Sequence, residues 1–169
     1  MRVYVPATMN MVRSLVDDGE LKPVGGTAFA LTPAFRESYY SGDTEELEYA
    51  ALREAARASL RLVATELAGD EKAPARRAVV AADVEDYELR PDLDFGVVRL
   101  GGLVPYEAVA AVHLDDPDAA DAVRAAAEVI DQADLGDPDA EFTLGDAEDH
   151  ELSWYAPQEV PFLFELGDL

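Results

Sequence analysis

The chain has 169 residues, 36 acidic against 13 basic side chains, a formal net charge of −23, 49% hydrophobic residues and no Cys. That length suits one domain of residues 1–169 with a core that needs no staple, and the lack of Cys excludes disulfides, thiolate nucleophiles and Cys-ligated zinc or iron–sulfur clusters. The charge repels phosphate backbones and anionic lipid, so direct nucleic-acid or membrane binding is not expected; plain solubility, a basic protein partner or cation binding remain.

Arg2 to Val5 reads as a short strand. Thr8 is the expected cap of a helix that stops at Gly19, and Met11, Val12, Leu15 and Val16 form its apolar face. Thr27 to Leu31 is a second strand, and Thr32-Pro33 opens a helix with a cap and a proline at its first position. Asp43 with Glu46 three residues later predicts a long helix to Ala68, wide enough in its apolar arc to be the central element. Ala78 to Ala82 is a continuous apolar run, expected as a strand buried on both faces. Asp86 to Asp94 reads as an acidic loop, Val97 to Leu100 as a strand, Tyr106 to Val109 as one helical turn, and Val112 to Leu114 as a strand. Asp116-Pro117 opens an Ala-rich amphipathic helix to about Ala133. Leu135 to Asp149 reads as an acidic connector, Leu152 to Tyr155 as a strand or helix start, and Gln158 to Leu166 as an apolar tail segment. The fold class is therefore α+β: a mixed sheet flanked by helices, with a β-α-β-α opening and one long central helix.

The charge is uneven. Residues 1–80 hold 10 basic and 12 acidic side chains, whereas residues 81–169 hold 3 and 24. Any electrostatic partner is expected on the second half. The N-terminal Met1-Arg2-Val3-Tyr4-Val5-Pro6 has no signal-peptide run, and no apolar stretch reaches the roughly 18 residues of a membrane span; a cytoplasmic protein is expected.

Five groups of residues are candidates for function. Thr8, Asn10, Thr32, Asp83, His113 and Asp116 lie at or beside the ends of apolar runs; on parallel neighbouring strands they would share a ligand crevice, while Thr8, Thr32 and Asp116 are equally explained as helix caps. His113 with Asp115, or His150 with Glu151, could act as a His–carboxylate base or metal centre, with His113, Asp83 and Asp116 as the catalytic candidates; Trp154 stands where H-E-x-x-H needs its second His. Asp137, Asp139, Glu141 and Glu148 match calcium-loop positions 1, 3, 5 and 12, but Phe142 occupies the obligatory glycine position. No cofactor or metal is therefore assigned. Arg53, Arg57 and Arg61 form a stripe on the long helix that needs neutralising, either by acids of the second half or of its own helix, or by an anion or docking partner. Trp154 and Tyr155 open an aromatic tail that either docks on its own core or forms a homodimer contact.

The blocks M-R-V-Y-V-P-A-T (1–8), T-A-F-A-L-T-P (27–33), A-A-D-V (81–84), H-L-D-D (113–116) and H-E-L-S-W-Y-A-P-Q-E (150–159) together resemble a family of small uncharacterised actinobacterial proteins. The resemblance covers most of the chain, implies a bacterial cytoplasmic setting and transfers no site. P-loop, dinucleotide and nucleophile-elbow signatures are absent. The expectation is a non-enzymatic binding protein with an acidic second half; the alternative is a small Asp/His enzyme, with or without a metal, with its crevice at the strand C-terminal ends.

Overall fold

A computed structural model describes residues 1–39 and 41–165. Strand β1 (Arg2–Thr8) is buried from Val3 onward. Thr8 then turns the chain: its hydroxyl accepts from the Met11 N–H at 3.2 Å and starts helix α1 (Met9–Asp18). Gly19 ends that helix at φ 77°, a left-handed value that glycine adopts without a Cβ clash. Two short strands, β2 (Glu20–Leu21) and β3 (Thr27–Phe29), lead to helix α2 (Pro33–Ser38), capped by Thr32. Helix α3 (Thr44–Gly69) begins where the Asp43 carboxylate accepts from the Glu46 N–H at 2.8 Å.

Strands β4 (Arg77–Asp83), β5 (Tyr87–Leu89), β6 (Val97–Leu100), β7 (Val104–Pro105) and β8 (Val109–Leu114) follow, with one 3-10 turn at Tyr106–Ala108. β5 therefore lies within the stretch expected as an acidic loop. A 3-10 turn at Pro117–Ala119 runs into helix α4 (Ala120–Asp134). The stretch expected as an acidic connector is helix α5 (Pro138–Glu148) instead. Asp137 caps it, Pro138 occupies its first turn, and Ala140, Leu144 and Ala147 give it a buried stripe. Strand β9 (Ser153–Tyr155) and helix α6 (Val160–Glu165) complete the chain.

The fold is α+β. Seven strands form one sheet in the order β5-β6-β3-β1-β4-β8-β9, with β2 and β7 paired separately. Every pair of neighbouring strands is antiparallel. Alternation splits β4 between two cores. Ala78, Val80 and Ala82 meet Val12 and Leu15 of α1 and Val160 of α6 on one face. Val79 and Ala81 meet Ala51, Ala55 and Ala56 of α3 on the other. A third cluster joins Leu60 and Val63 of α3 to Val123, Ile130 and Leu144 of α4 and α5.

Small residues let α3 lie close on the sheet. Ser59, fully buried, donates to the Ala7 carbonyl at 2.7 Å and accepts from the Ala78 N–H at 2.9 Å, so one hydroxyl bridges the paired residues of β1 and β4. Both of its hydrogen-bonding functions are used, which removes the penalty of burying it.

Candidate functional site

The antiparallel sheet separates the residues that a strand-end crevice would have gathered. Thr8 pairs with Arg77 at one end of the β1–β4 ladder, and Arg2 pairs with Asp83 at the other. Six steps of about 3.3 Å put Thr8 and Asp83 roughly 20 Å apart. Thr32 follows β3, whose Phe29 pairs with Tyr4, so it lies toward the Asp83 end. Asp116 follows β8, whose Leu114 pairs with Ala78, so it lies at the Thr8 end. Thr8 and Thr32 cap helices, Asn10 donates to Glu66 at 2.9 Å, and Asp116 accepts from the Ser153 hydroxyl at 2.8 Å without capping its own helix.

Asp83 is held by Arg2 through two bonds of 2.8 and 3.2 Å, which lower its carboxyl below the ordinary range. His113 sits half-buried on β8, opposite Val79 and Trp154. Burial, with a smaller contribution from Arg2, lowers its pKa and favours the neutral ring. Its neighbour Asp115 is taken by Arg77, and no hydrogen bond joins His113 to a carboxylate among the described residues. Without that bond nothing orients the ring as a base.

The Asp115 centre is structural. Asp115 is fully buried and accepts from the Arg77 backbone N–H at 2.7 Å, Nε at 2.8 Å and Nη2 at 2.8 Å. The same guanidinium donates to the carbonyls of Ala147 at 2.9 Å and His150 at 2.7 Å. Arg76, also buried, donates through Nε and Nη2 to the Asp115 carbonyl. This pair fastens β4 and β8 to the end of α5. The charge beside a strand end was visible in Asp115; its partner Arg77 opens an apolar run, where a cation carries no periodic signal.

The Arg stripe is neutralised by the second half of the chain. Arg57 reaches Asp134 at 3.1 Å, Glu141 at 2.9 Å and Glu148 at 3.9 Å. Arg61 holds Asp134 at 2.8 Å and Arg53 holds Glu148 at 3.3 Å. Asp134, bonded first by Arg61 and then by Arg57, is pulled down to about 2. Arg53 and Arg57 also line a cleft of about 280 Å³ between α3 and the segment after α5, with Tyr49, Glu148, His150 and Glu151 on its walls. Its cations are already spoken for, so it offers an anion little free charge.

The outward surface of α4 and α5 also carries acids without an ion pair, with one cation, Arg124, between Asp121 and Glu128. Asp121, Glu128 and Asp131 are exposed at helical spacing on α4, and Leu135, 89% exposed, continues that stripe. On α5, Asp139 and Asp146 flank Phe142, 77% exposed, at i−3 and i+4. None of these five carboxylates has an ion pair among the described residues. The span whose acids match four calcium-loop positions is this helix, which directs them around a cylinder rather than at one point. Among the described residues no group of three or more His, Asp or Glu is placed to hold a metal ion.

The aromatic tail divides. Tyr155 packs against the α1 side of the core, and Val160 is fully buried there. Phe164 lies under the Arg13 guanidinium, 4.7 Å from the ring centre, and the Tyr106 hydroxyl donates to the Pro157 carbonyl. Trp154 alternates to the other face and stays 59% exposed. The part of the tail beyond Glu165 lies outside the described residues.

Residues 1–164 match a family described as a family of unknown function (DUF6912). The chain belongs to that family. No curated protein and no solved structure matches it. Family membership spans β1 to α6 and so covers both the Arg77–Asp115 centre and the α4–α5 hairpin. No helix among the described residues is long and apolar enough to cross a membrane.

Proposed function

We propose that this family member is a non-enzymatic binding protein of the bacterial cytoplasm, of actinobacterial origin, that docks a basic protein on the outward surface of α4 and α5. One observation carries the reading: the cations of α3 are consumed internally, while five exposed acids of α4 and α5 make no ion pair on the hairpin that exposes Leu135 and Phe142. Acids alone steer a basic partner but bind it weakly; a large apolar side chain beside them supplies the desolvated anchor that holds it. The absence of Cys and the excess of Arg over Lys support the setting. The separation of His113, Asp83 and Asp116 weighs against the enzyme alternative.

A pull-down at low and high salt, run with the wild-type chain and a Leu135→Ser/Phe142→Ser variant, tests this. The expected result is a basic protein retained at low salt, released at high salt and lost by the variant. No salt-sensitive basic protein, or equal retention by the variant, overturns the proposal.

A further inference from the structure

A second cavity, of about 320 Å³, adjoins the Arg53–Arg57 cleft, with Tyr39 and Glu54 on the shared wall, and falls in the size range of small-molecule sites. Its described lining combines aromatic rings with two carboxylates: Phe35, Tyr39 and Phe95 with Glu54 and Asp94. No Lys or Arg is among the described residues that line it.

The walls are built rather than incidental. Phe35 and Tyr39 stack at 5.0 Å with a 48° tilt. Gly96 admits the Phe35 ring, because a Cβ there would stand 2.9 Å from Phe35 Cδ2. Thr32 ties the two walls together: its hydroxyl accepts from the Phe35 N–H at 3.0 Å and donates to the Phe95 carbonyl. The Asp94 carboxylate accepts from the Phe95 N–H at 2.7 Å, which fixes the acid beside the ring.

The charges are also unanswered. Glu54 sits on α3 among Arg53, Arg57 and Arg61, yet those cations bond acids of α4 and α5. Glu54 and Asp94 make no ion pair among the described residues. Burial and then the Asp94 charge raise the Glu54 carboxyl above its usual range, despite the nearby arginines. An arriving cation relieves that repulsion, and electron-rich ring faces attract the same charge.

We propose that this cavity binds an organic cation, its ammonium or guanidinium head between Glu54 and Asp94 and its apolar stem against Phe35, Tyr39 and Phe95. The head can come from a free amine or from a Lys or Arg side chain of a protein. The site is separate from the α4–α5 surface, so either assignment can fail alone.

Titration of ¹⁵N-labelled protein with n-butylammonium, agmatine, N-acetyl-lysine methylamide, n-butanol and sodium chloride at matched ionic strength tests it. Saturable shifts are expected at Ser38, Glu54, Phe95 and Gly96 with the organic cations, and not with butanol or sodium. Glu54→Gln and Asp94→Asn, each checked for unchanged melting, should each weaken binding roughly fivefold to tenfold. Phe95→Ala should weaken it about twofold to fivefold. Tighter binding of n-butylammonium than of the lysine derivative supports a free amine as the source, and tighter binding of the lysine derivative supports a protein side chain. Shifts that butanol or sodium reproduces, or that survive both carboxylate substitutions, overturn the proposal.

Discussion

Asp115→Asn removes one charge from the centre that joins β4, β8 and α5, and changes almost no volume. Asp115 is fully buried and takes three N–H donors from Arg77 at 2.7–2.8 Å. After substitution the guanidinium, in a side chain 5% exposed, keeps the Ala147 and His150 carbonyls and one amide oxygen, but loses its counter-charge and meets an NH2 donor where the second carboxylate oxygen accepted. Breaking a buried pair from one side costs about 3–5 kcal/mol. For a chain of this size that corresponds to a fall in melting temperature of roughly 6–20 °C. Urea unfolding followed by circular dichroism measures the loss, and hydrogen exchange should show the largest local loss of protection at residues 147–155. The double variant Arg77→Met/Asp115→Leu should be less damaged than Asp115→Asn, because it buries no orphan charge. A loss under about 1 kcal/mol for Asp115→Asn, with an unchanged urea slope, would mean that the Arg77–Asp115 pair does not hold these elements together.

Three further outcomes follow from the same geometry. Arg57→Met releases Asp134, Glu141 and Glu148 from their shared cation, so it should destabilise by about 1–2 kcal/mol, with added salt restoring part of the loss in thermal melts. His113 has a folded pKa below its ordinary 6.5, so it contributes stability that is fully present above pH 6.5 and is lost as pH falls through 6.5 toward the folded value; melts between pH 7 and 5 should be flatter for His113→Leu than for wild type. Thr32→Ala loses both the α2 cap and the bond to Phe95, so it should cost about 1–2 kcal/mol and, in the titration above, weaken organic-cation binding without removing either carboxylate.

The elements with local chemical punctuation were legible in the sequence. Thr8 and Gly19 bound α1, Thr32-Pro33 opens α2, and Asp43 with Glu46 opens α3, because caps satisfy orphan backbone groups within a few residues. The doubly buried β4 was legible from its unbroken apolar run. Helix α5 carried the same cap-plus-proline signal at Asp137-Pro138 as Asp116-Pro117 did, but its density of acids reads as solvated loop; three buried residues at spacings of four and three sufficed to fold it. Strand direction was not legible. Antiparallel pairing of β1 with both β3 and β4 depends on which partners share a face across the whole sheet, and that choice left Asp83 and Thr32 at one end and Thr8 and Asp116 at the other. The internal role of Arg53, Arg57 and Arg61 was half legible: their mutual repulsion demanded acids, but only packing α3 against α4 and α5 selected Asp134, Glu141 and Glu148. The Glu54–Asp94 cavity gave no sequence signal, since 40 residues separate its two acids.

Under the proposed function, the unpaired acids of α4 and α5 work with Leu135 and Phe142 to hold a basic partner. Titrating ¹⁵N-labelled protein with a lysine- and leucine-rich amphipathic peptide, at about one and three times physiological ionic strength, tests it most directly. Salt-sensitive shifts concentrated at residues 121–146, and lost in Leu135→Ser/Phe142→Ser, are expected. Shifts spread evenly over the surface, or centred on Arg53 to Arg61 and unchanged by that variant, would contradict it.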